Sequence, residues 1–221
     1  MFTGIIEALG TVQQITRQGG DLQLSIASDT LDFSDVRLGD SIATQGVCLT
    51  VVALQGRQFV ADVSRETLQH TTLPEWTVGQ RVNLEKALLL TTRLGGHLVS
   101  GHVDAVGVIR DVRRDARSLW VQIESPVMLA RYLARKGSVC VDGVSLTINA
   151  VEDLLFELNI VPHTADMTTL SSLRQGSRVN LEVDVLARYL ERMLNSAANE
   201  PESAAGVSMS TLLQHGFMRR R

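Results

Sequence analysis

Shifted by 97 positions, the chain falls into register with itself. Gly46-Val47-Cys48-Leu49-Thr50-Val51 meets Gly143-Val144-Ser145-Leu146-Thr147-Ile148, and Thr71-Thr72-Leu73 meets Thr168-Thr169-Leu170. Arg81-Val82-Asn83-Leu84-Glu85 meets Arg178-Val179-Asn180-Leu181-Glu182. Gly4, Gly10, Phe59, Thr67 and Gly79 meet Gly101, Gly107, Phe156, Thr164 and Gly176 at the same offset, so there is no net insertion between the copies. The period is far longer than the roughly 20–50 residues of a solenoid. The constraint is therefore tandem duplication: one fold made twice, over 1–96 and 97–193, with 194–221 holding the end of a helix and a tail. Two similar modules imply two similar sites, and the positions at which they differ show where the chemistry is unequal.

Composition narrows the class. Hydrophobic residues at 44% and charged residues at 20% suit an ordinary globular protein. A net charge of −3 gives no electrostatic reason to expect nucleic acid or an anionic membrane as partner. The opening Met1-Phe2-Thr3-Gly4-Ile5-Ile6-Glu7 lacks the basic start of a secretory signal, and no apolar run approaches the ~20 residues of a membrane span. Cys48 and Cys140, the two cysteines, make no disulfide framework. The cytoplasm is the expected compartment.

Local patterns are mostly those of strands. Leu22 to Ile26 and Leu119 to Ile123 alternate apolar and polar residues, as does Gln80 to Glu85. Val47 to Leu54 and Arg57 to Val63 flank Gln55-Gly56 as a hairpin would. Short strands at this spacing predict a closed barrel or a sandwich, and six strands in 97 residues favour a small Greek-key barrel. A helix is predicted with Ser125 as N-cap, Pro126 first, Val127 to Lys136 as body and Gly137 beyond it. After Glu182, Leu186, Tyr189, Leu190, Met193 and Leu194 form one apolar helical face over Asp184 to Asn195. That helix packs either on its own barrel or in a seam between subunits. Residues 197–206 read as a linker, 212–218 as a loose last turn, and 219–221 as a solvated basic tail. The fold class is all-β: two similar six-stranded Greek-key barrels in tandem, plus a C-terminal amphipathic α-helix.

Four segments carry a family resemblance. Met1 to Glu7, Gly46-Val47-Cys48-Leu49-Thr50, Gly95-Gly96-His97-Leu98-Val99-Ser100-Gly101-His102 and Asp142 to Thr147 resemble, in this order and within the duplication, the riboflavin synthase α-chain family over about residues 1–195. The resemblance implies homotrimers of two-barrel subunits joined by a C-terminal helix. It implies a transferase that converts two 6,7-dimethyl-8-ribityllumazine molecules into riboflavin and 5-amino-6-(D-ribitylamino)uracil by moving a four-carbon unit. No cofactor and no metal are implied. Consistently, no Cys/His cluster has zinc spacing and Gly95-Gly96 leads no phosphate-binding helix. Association with lumazine synthase is left open.

The resemblance carries catalysis onto Cys48, His102 and Ser41. Ligand contact falls, in the first repeat, on Gly4, Ile5, Ile6, Cys48, Leu49, Thr50, Asp62, Val63, Ser64, Arg65, Glu66 and Thr67. In the second it falls on Gly101, His102, Val103, Lys136, Ser145, Leu146, Thr147, Val161, Pro162, His163, Thr164, Ala165 and Asp166. Hydroxyls paired across the repeat (Thr50/Thr147, Thr67/Thr164, Ser41/Ser138) suit a heterocycle with a polyhydroxylated chain. The unequal pairs are Cys48/Ser145, Ile5/His102, Gln45/Asp142, Gly39/Lys136 and Phe2/Val99. His102 can carry a proton near neutral pH. Cys48 can supply a nucleophile or pack as a small thiol. With Cys48 in the first repeat and His102 in the second, the two groups are expected in different half-sites, one per barrel. Cys140 reads as packing, and His97, at the junction, as structural. Gln45 replaces the Asn usual in the family, which alters the geometry of the first turn. Two other activities compete: a non-catalytic fluorescent lumazine carrier, against which Cys48 and His102 argue, and a barrel module with no small ligand, which leaves the paired hydroxyls unexplained.

Overall fold

The predicted alternation becomes two barrels in the computed structural model, which describes residues 1–198 and 215. The first is built from β1 (Ala8–Gln18), β2 (Asp21–Ala27), β3 (Ser41–Thr44), β4 (Val47–Gln55) and β5 (Gln58–Val63), then, after the short helix α1 (Arg65–His70), β6 (Arg81–Lys86). The second repeats it with β7 (Ala105–Asp115), β8 (Ser118–Glu124), the one-turn helix α2 (Val127–Ala130), β9 (Ser138–Val141), β10 (Val144–Glu152), β11 (Leu155–Ile160), α3 (Pro162–Asp166) and β12 (Arg178–Val183). Strands pair antiparallel in the order β1-β2-β5-β4-β3-β6 and close on themselves; β7-β8-β11-β10-β9-β12 does the same. Closure removes the open edges that a six-stranded sheet would otherwise present.

The offset of 97 persists down to the irregularities. β1 bulges at Gln13 and β7 at Arg110; β4 bulges at Val52 and β10 at Asn149. An extra residue in a strand tightens its twist, and small barrels need tight twist to close. Inward residues fill each interior, with Leu24, Ile26, Phe59 and Leu84 in the first barrel and Ile123, Phe156, Leu158 and Leu181 in the second. Gly10 and Gly107 are required at matching places. A Cβ there would stand 2.7 and 2.6 Å from the side chains of Leu84 and Leu181, respectively.

The helix predicted over Val127 to Lys136 is shorter than expected. It ends after one turn, and Ser125 Oγ donates to the Leu154 carbonyl instead of capping. The chain must rejoin the sheet at once: Lys136 N–H donates to Ile148 O and Ile148 N–H to Gly137 O. The left-handed turn residue is Lys136 (φ 67°), matching Gly39 (φ 90°) in the first copy. The C-terminal helix is α4, Val185–Ala198, slightly longer than expected, and its apolar residues Leu186, Tyr189, Leu190, Met193 and Leu194 are exposed. Beyond Ala198, the expected linker, the turn over 212–218 and the basic tail lie outside the described residues, His215 apart.

The barrels meet along an approximate two-fold axis that runs between Gly46 and Gly143. A Cβ on Gly46 would lie 2.6 Å from Gly143 N, and one on Gly143 would lie 2.8 Å from Gly46 N. Around this point contacts come in exchanged pairs. Asn83 Nδ2 donates to Asp142 O (2.8 Å) and Asn180 Nδ2 to Gln45 O (2.9 Å). Asn83 Oδ1 accepts from Thr169 N, and Asn180 Oδ1 accepts from Thr72 N. Phe2 and Val99, equivalent positions, bond to each other in both directions. Buried amides bonded through both Oδ1 and Nδ2 hold the seam.

Candidate active site

Two arms cross the seam, and they decide which residues share a site. Residues 2–7 lead into the first barrel, yet Gly4 O accepts from Ser145 N on the second (2.8 Å) and Ile6 packs against the second barrel's core. Residues 99–104 lead into the second barrel, yet Gly101 O accepts from Cys48 N on the first (2.9 Å) and Val103 packs against the first barrel's core. Positive φ at Gly4 (74°) and Gly101 (78°) makes the crossing possible. A Cβ on either would stand 2.6 Å from the Cβ of Ser145 or Cys48.

Each arm is anchored by a buried carboxylate at the end of the module's last strand. Glu85 accepts from Thr3 N and Thr3 Oγ1, both at 2.6 Å, and from Gly4 N at 3.0 Å. Glu182 accepts from Ser100 N (2.7 Å) and Ser100 Oγ (2.6 Å). Burial pushes the Glu85 carboxyl above its ordinary value, against the hydrogen bonds that pull it down.

The crossing overturns one expectation. Their places in the sequence put Cys48 and His102 in different barrels, but the second arm lays Gly101-His102-Val103 over Cys48. The two groups line one cleft of about 250 Å³ together with Glu66, Thr67 and His70. Conversely, Gly4 bonds to Ser145 and Ile6 packs with Leu146 against the second barrel's core, whereas Ile5 between them borders first-barrel residues. Sequence spacing groups residues by module, whereas the arms group them by contact across the axis.

The remaining candidates fall as follows. Cys48 and Thr50 share the outer face of β4, and Ser41 stands opposite Thr50 on β3. Ser41 also borders a separate, larger cleft of about 720 Å³ that includes Thr3, Ile5, Glu7, Glu85 and Lys86. The two clefts thus flank the same pair of strands. Asp62, Ser64, Arg65 and Glu66 are exposed where β5 runs into α1, with Ser64 Oγ accepting from Thr67 N as cap. Val161, Pro162, His163, Thr164 and Asp166 take the same places around α3, without a side-chain cap. Lys136 is exposed and reaches Asn149 Oδ1 at 3.3 Å. Leu49, Val63 and Ala165 turn their side chains into the barrel cores, so only their backbone can meet a ligand. Cys140 is buried in the seam beside Phe2, Ala43 and Val99, and burial pushes its thiol well up, as packing requires.

Three residues have environments their sequence context did not convey. His97 is buried with Nδ1 2.7 Å from Ser145 Oγ. Gln45, at φ 51°, uses its extra length: Oε1 accepts from Asn83 N at 2.9 Å while Nε2 donates to Thr169 Oγ1 at 3.1 Å. Its equivalent Asp142 is fully enclosed, accepts from Asn180 N at 2.8 Å, and is pushed by burial up to about 7. A signal for the last was present in the sequence: an acid at the position where the other repeat has a neutral amide. Among the described residues no group of three or more His, Cys, Asp or Glu side chains is placed to hold a metal ion.

Comparison with known proteins bears on this arrangement. A family model described as lumazine binding domain matches residues 3–87 and again 100–184. A riboflavin synthase of Photobacterium phosphoreum is 52% identical, with 99% of this chain and all of that protein aligned. The riboflavin synthase of Bacillus subtilis is 39% identical over 98% of this chain and all of its own length. Among solved structures, LumP complexed with 6,7-dimethyl-8-(1′-D-ribityl)lumazine superposes with TM-score 0.75 at 26% identity, covering 83% of this chain and 99% of that one. LumP complexed with riboflavin gives 0.77 at the same identity and coverage.

Proposed function

This chain belongs to the riboflavin synthase family, built of two lumazine binding domains, and from that premise we propose that it forms riboflavin from two molecules of 6,7-dimethyl-8-ribityllumazine. One lumazine gives up a four-carbon unit and leaves as 5-amino-6-(D-ribitylamino)uracil; the other receives it. The observation that carries the reading is the shared cleft of Cys48 and His102. The reaction needs a proton removed from the acidic C7 methyl and a nucleophile added at C7. An imidazole moves the proton near neutral pH and a thiol, or a water it orients, meets C7. Thr50 and Thr67, with Ser41 beside them, offer hydroxyls to the ribityl chain and ring edge. Thr147 and Thr164 do so in the second barrel, whose half-site the arm residues Gly4 and Ile6 complete.

The cleft at Cys48 is smaller than the ~300–1,000 Å³ of an enclosing ligand site. A lumazine seated there keeps one face open, and the partner lumazine must meet that face. A homotrimer in which the first barrel of one subunit faces the second barrel of the next supplies the partner, with α4 as the joining helix. The enzyme works without metal or cofactor, and its compartment is the cytoplasm.

The test is direct. The purified protein incubated with 6,7-dimethyl-8-ribityllumazine should develop riboflavin absorbance. Tight binding with no riboflavin formed would leave the alternative, a lumazine carrier.

A further inference from the structure

The cleft that holds Cys48 and His102 is lined by a second imidazole, that of His70, the last residue of α1. His70 stands one turn beyond Glu66, with Nε2 3.7 Å from Glu66 Oε1. That is an ion-pair distance but too long for a hydrogen bond, so charge steers the ring without fixing it. Both side chains are at least half exposed, and a pair this exposed adds little to the stability of a fold. The pair also belongs to the first half-site alone. At the offset of 97, Thr67 and Thr71 are kept as Thr164 and Thr168, but Glu66 becomes His163 and His70 becomes Met167. The second barrel closes with methionine at this position, so the fold does not require the imidazole.

The reaction calls for proton transfers of opposite sense. Hydrogen leaves methyl carbon on the lumazine that receives the four-carbon unit. Hydrogen also appears on nitrogen, because the nitrogens that carried the unit depart as amines of 5-amino-6-(D-ribitylamino)uracil. An amide-like or amine nitrogen leaves carbon readily only if a proton reaches it as the bond breaks, which is the task of a general acid. His102 serves the first transfer as base. A site that runs both transfers is served by a second carrier that already holds its proton, and acid and base within one site are told apart by unequal surroundings.

We propose that His70 is a further catalytic residue of the Cys48 cleft: as an imidazolium it gives its proton to a nitrogen of the departing diaminouracil, while His102 takes protons from methyl carbon. The inference rests on the reading that the protein forms riboflavin. In the step, the C–N bond breaks with its electron pair going to nitrogen, and the proton from the His70 ring forms the new N–H bond. His70 then recovers a proton from water in the open cleft, and nothing is oxidised or reduced. The ionisable side chains lining the cleft are Cys48, Glu66, His70 and His102. Glu66 is the carboxylate among them, and it supplies the counter-charge beside which a His70 imidazolium rests. The two imidazoles arrive on different elements, α1 of the first module and the arm of the second, so a lumazine seated in the cleft meets one proton carrier from each.

The variant His70→Met, which brings in the side chain that the second repeat has at the equivalent position, tests this. It should lower kcat by roughly 10²-fold, the scale of a lost general acid, and leave KM little changed. Imidazole added to the buffer should restore part of the loss. Deuterium exchange into the C7 methyl of lumazine in D2O, followed by proton NMR, should continue at the unaltered protein's rate, because His70 acts after carbon is deprotonated. In His102→Gln that exchange should fall. Glu66→Gln should also lower kcat, and no further when combined with His70→Met, because Glu66 acts through His70. An unchanged kcat, a loss carried by KM, a loss untouched by imidazole, or exchange that falls in step with turnover would each overturn the proposal. Should His70→Met not fold, Glu66→Gln carries the same readouts: kcat lowered with exchange kept supports the proposal, and any other result overturns it. An unaltered protein that forms no riboflavin fails the proposed function and this proposal with it. An unaltered protein that forms riboflavin no faster than His70→Met fails this proposal alone.

Discussion

Single side chains set the chemistry of this chain, and the thiol–imidazole cleft gives the plainest expectation. Cys48→Ser or His102→Gln should reduce turnover by roughly 10²-fold or more, the scale of losing a nucleophile or a proton carrier. Because both groups line the same cleft of one chain, mixing the two variants should restore nothing: every first-barrel site in a mixed assembly lacks one of them. Recovered activity on mixing would place the groups in different half-sites. Thr50→Ala or Thr147→Ala should instead weaken lumazine binding by about 1 kcal/mol, read by fluorescence titration. Asp142 governs a different property. Its carboxyl is raised by burial to about 7 in the folded protein, against an ordinary value near 3.8, so the folded state holds the proton more tightly than the unfolded chain does. Stability from this group is therefore full below about pH 4 and declines as pH rises toward 7, by at most about 1.4 kcal/mol per pH unit. Glu85, raised for the same reason, acts in the same direction. Asp142→Asn keeps an acceptor for Asn180 N–H and removes the charge. It should flatten the fall in urea-unfolding free energy between pH 4 and 7, and an unchanged slope would refute the assignment.

At the scale of elements, the crossing arms carry more of the site than the strands beneath them. Gly4→Ala or Gly101→Ala forces a side chain into a left-handed backbone and against the Cβ of Ser145 or Cys48. Each should cost more than about 1–3 kcal/mol, seen as a lower melting temperature, and should impair the half-site across the seam from the module that bears it. The strands were legible in the sequence because burial on one face imposes a two-residue period, which Leu22 to Ile26 and Leu119 to Ile123 display openly. The amphipathic α4 was legible for the same kind of reason, with a period of 3.6. The helix expected after Pro126 stops after one turn, since its caps and propensity are local whereas the demand that Lys136 and Gly137 rejoin the sheet is not. The grouping of Cys48 with His102, and of His97 with Ser145, left no periodic trace. Contacts made by an arm across a symmetry axis depend on where the chain turns at Gly4 and Gly101. A lone glycine in a sequence marks a turn without saying what it turns toward.

For the molecule as a whole, the proposed homotrimer turns on α4. Five large side chains, Leu186, Tyr189, Leu190, Met193 and Leu194, are 59–71% exposed along it. A stripe of that size on one helix marks a surface suited to association. On the homotrimer proposed above, removing the chain from Val185 onward should yield monomers in sedimentation, whereas removing only residues after Asn199 should leave the trimer intact. Trimers that survive the larger deletion would show that the barrels alone hold the assembly. The exchange of contacts about Gly46 and Gly143 has its own consequence. Phe2 bonds to its equivalent Val99, Asn83 and Asn180 trade partners, and each arm completes the other module's site. An interface whose contacts are exchanged in pairs about an axis is what an isologous homodimer builds from two identical chains. The present polypeptide is such a dimer with its halves fused. Fusion released the two copies from having to be identical: one could keep a thiol where the other took a serine, and the joining peptide could supply a histidine to one side alone. For a reaction that takes two identical molecules and treats them differently, the fused chain can furnish its two halves unequally, which a homodimer of one module could not encode.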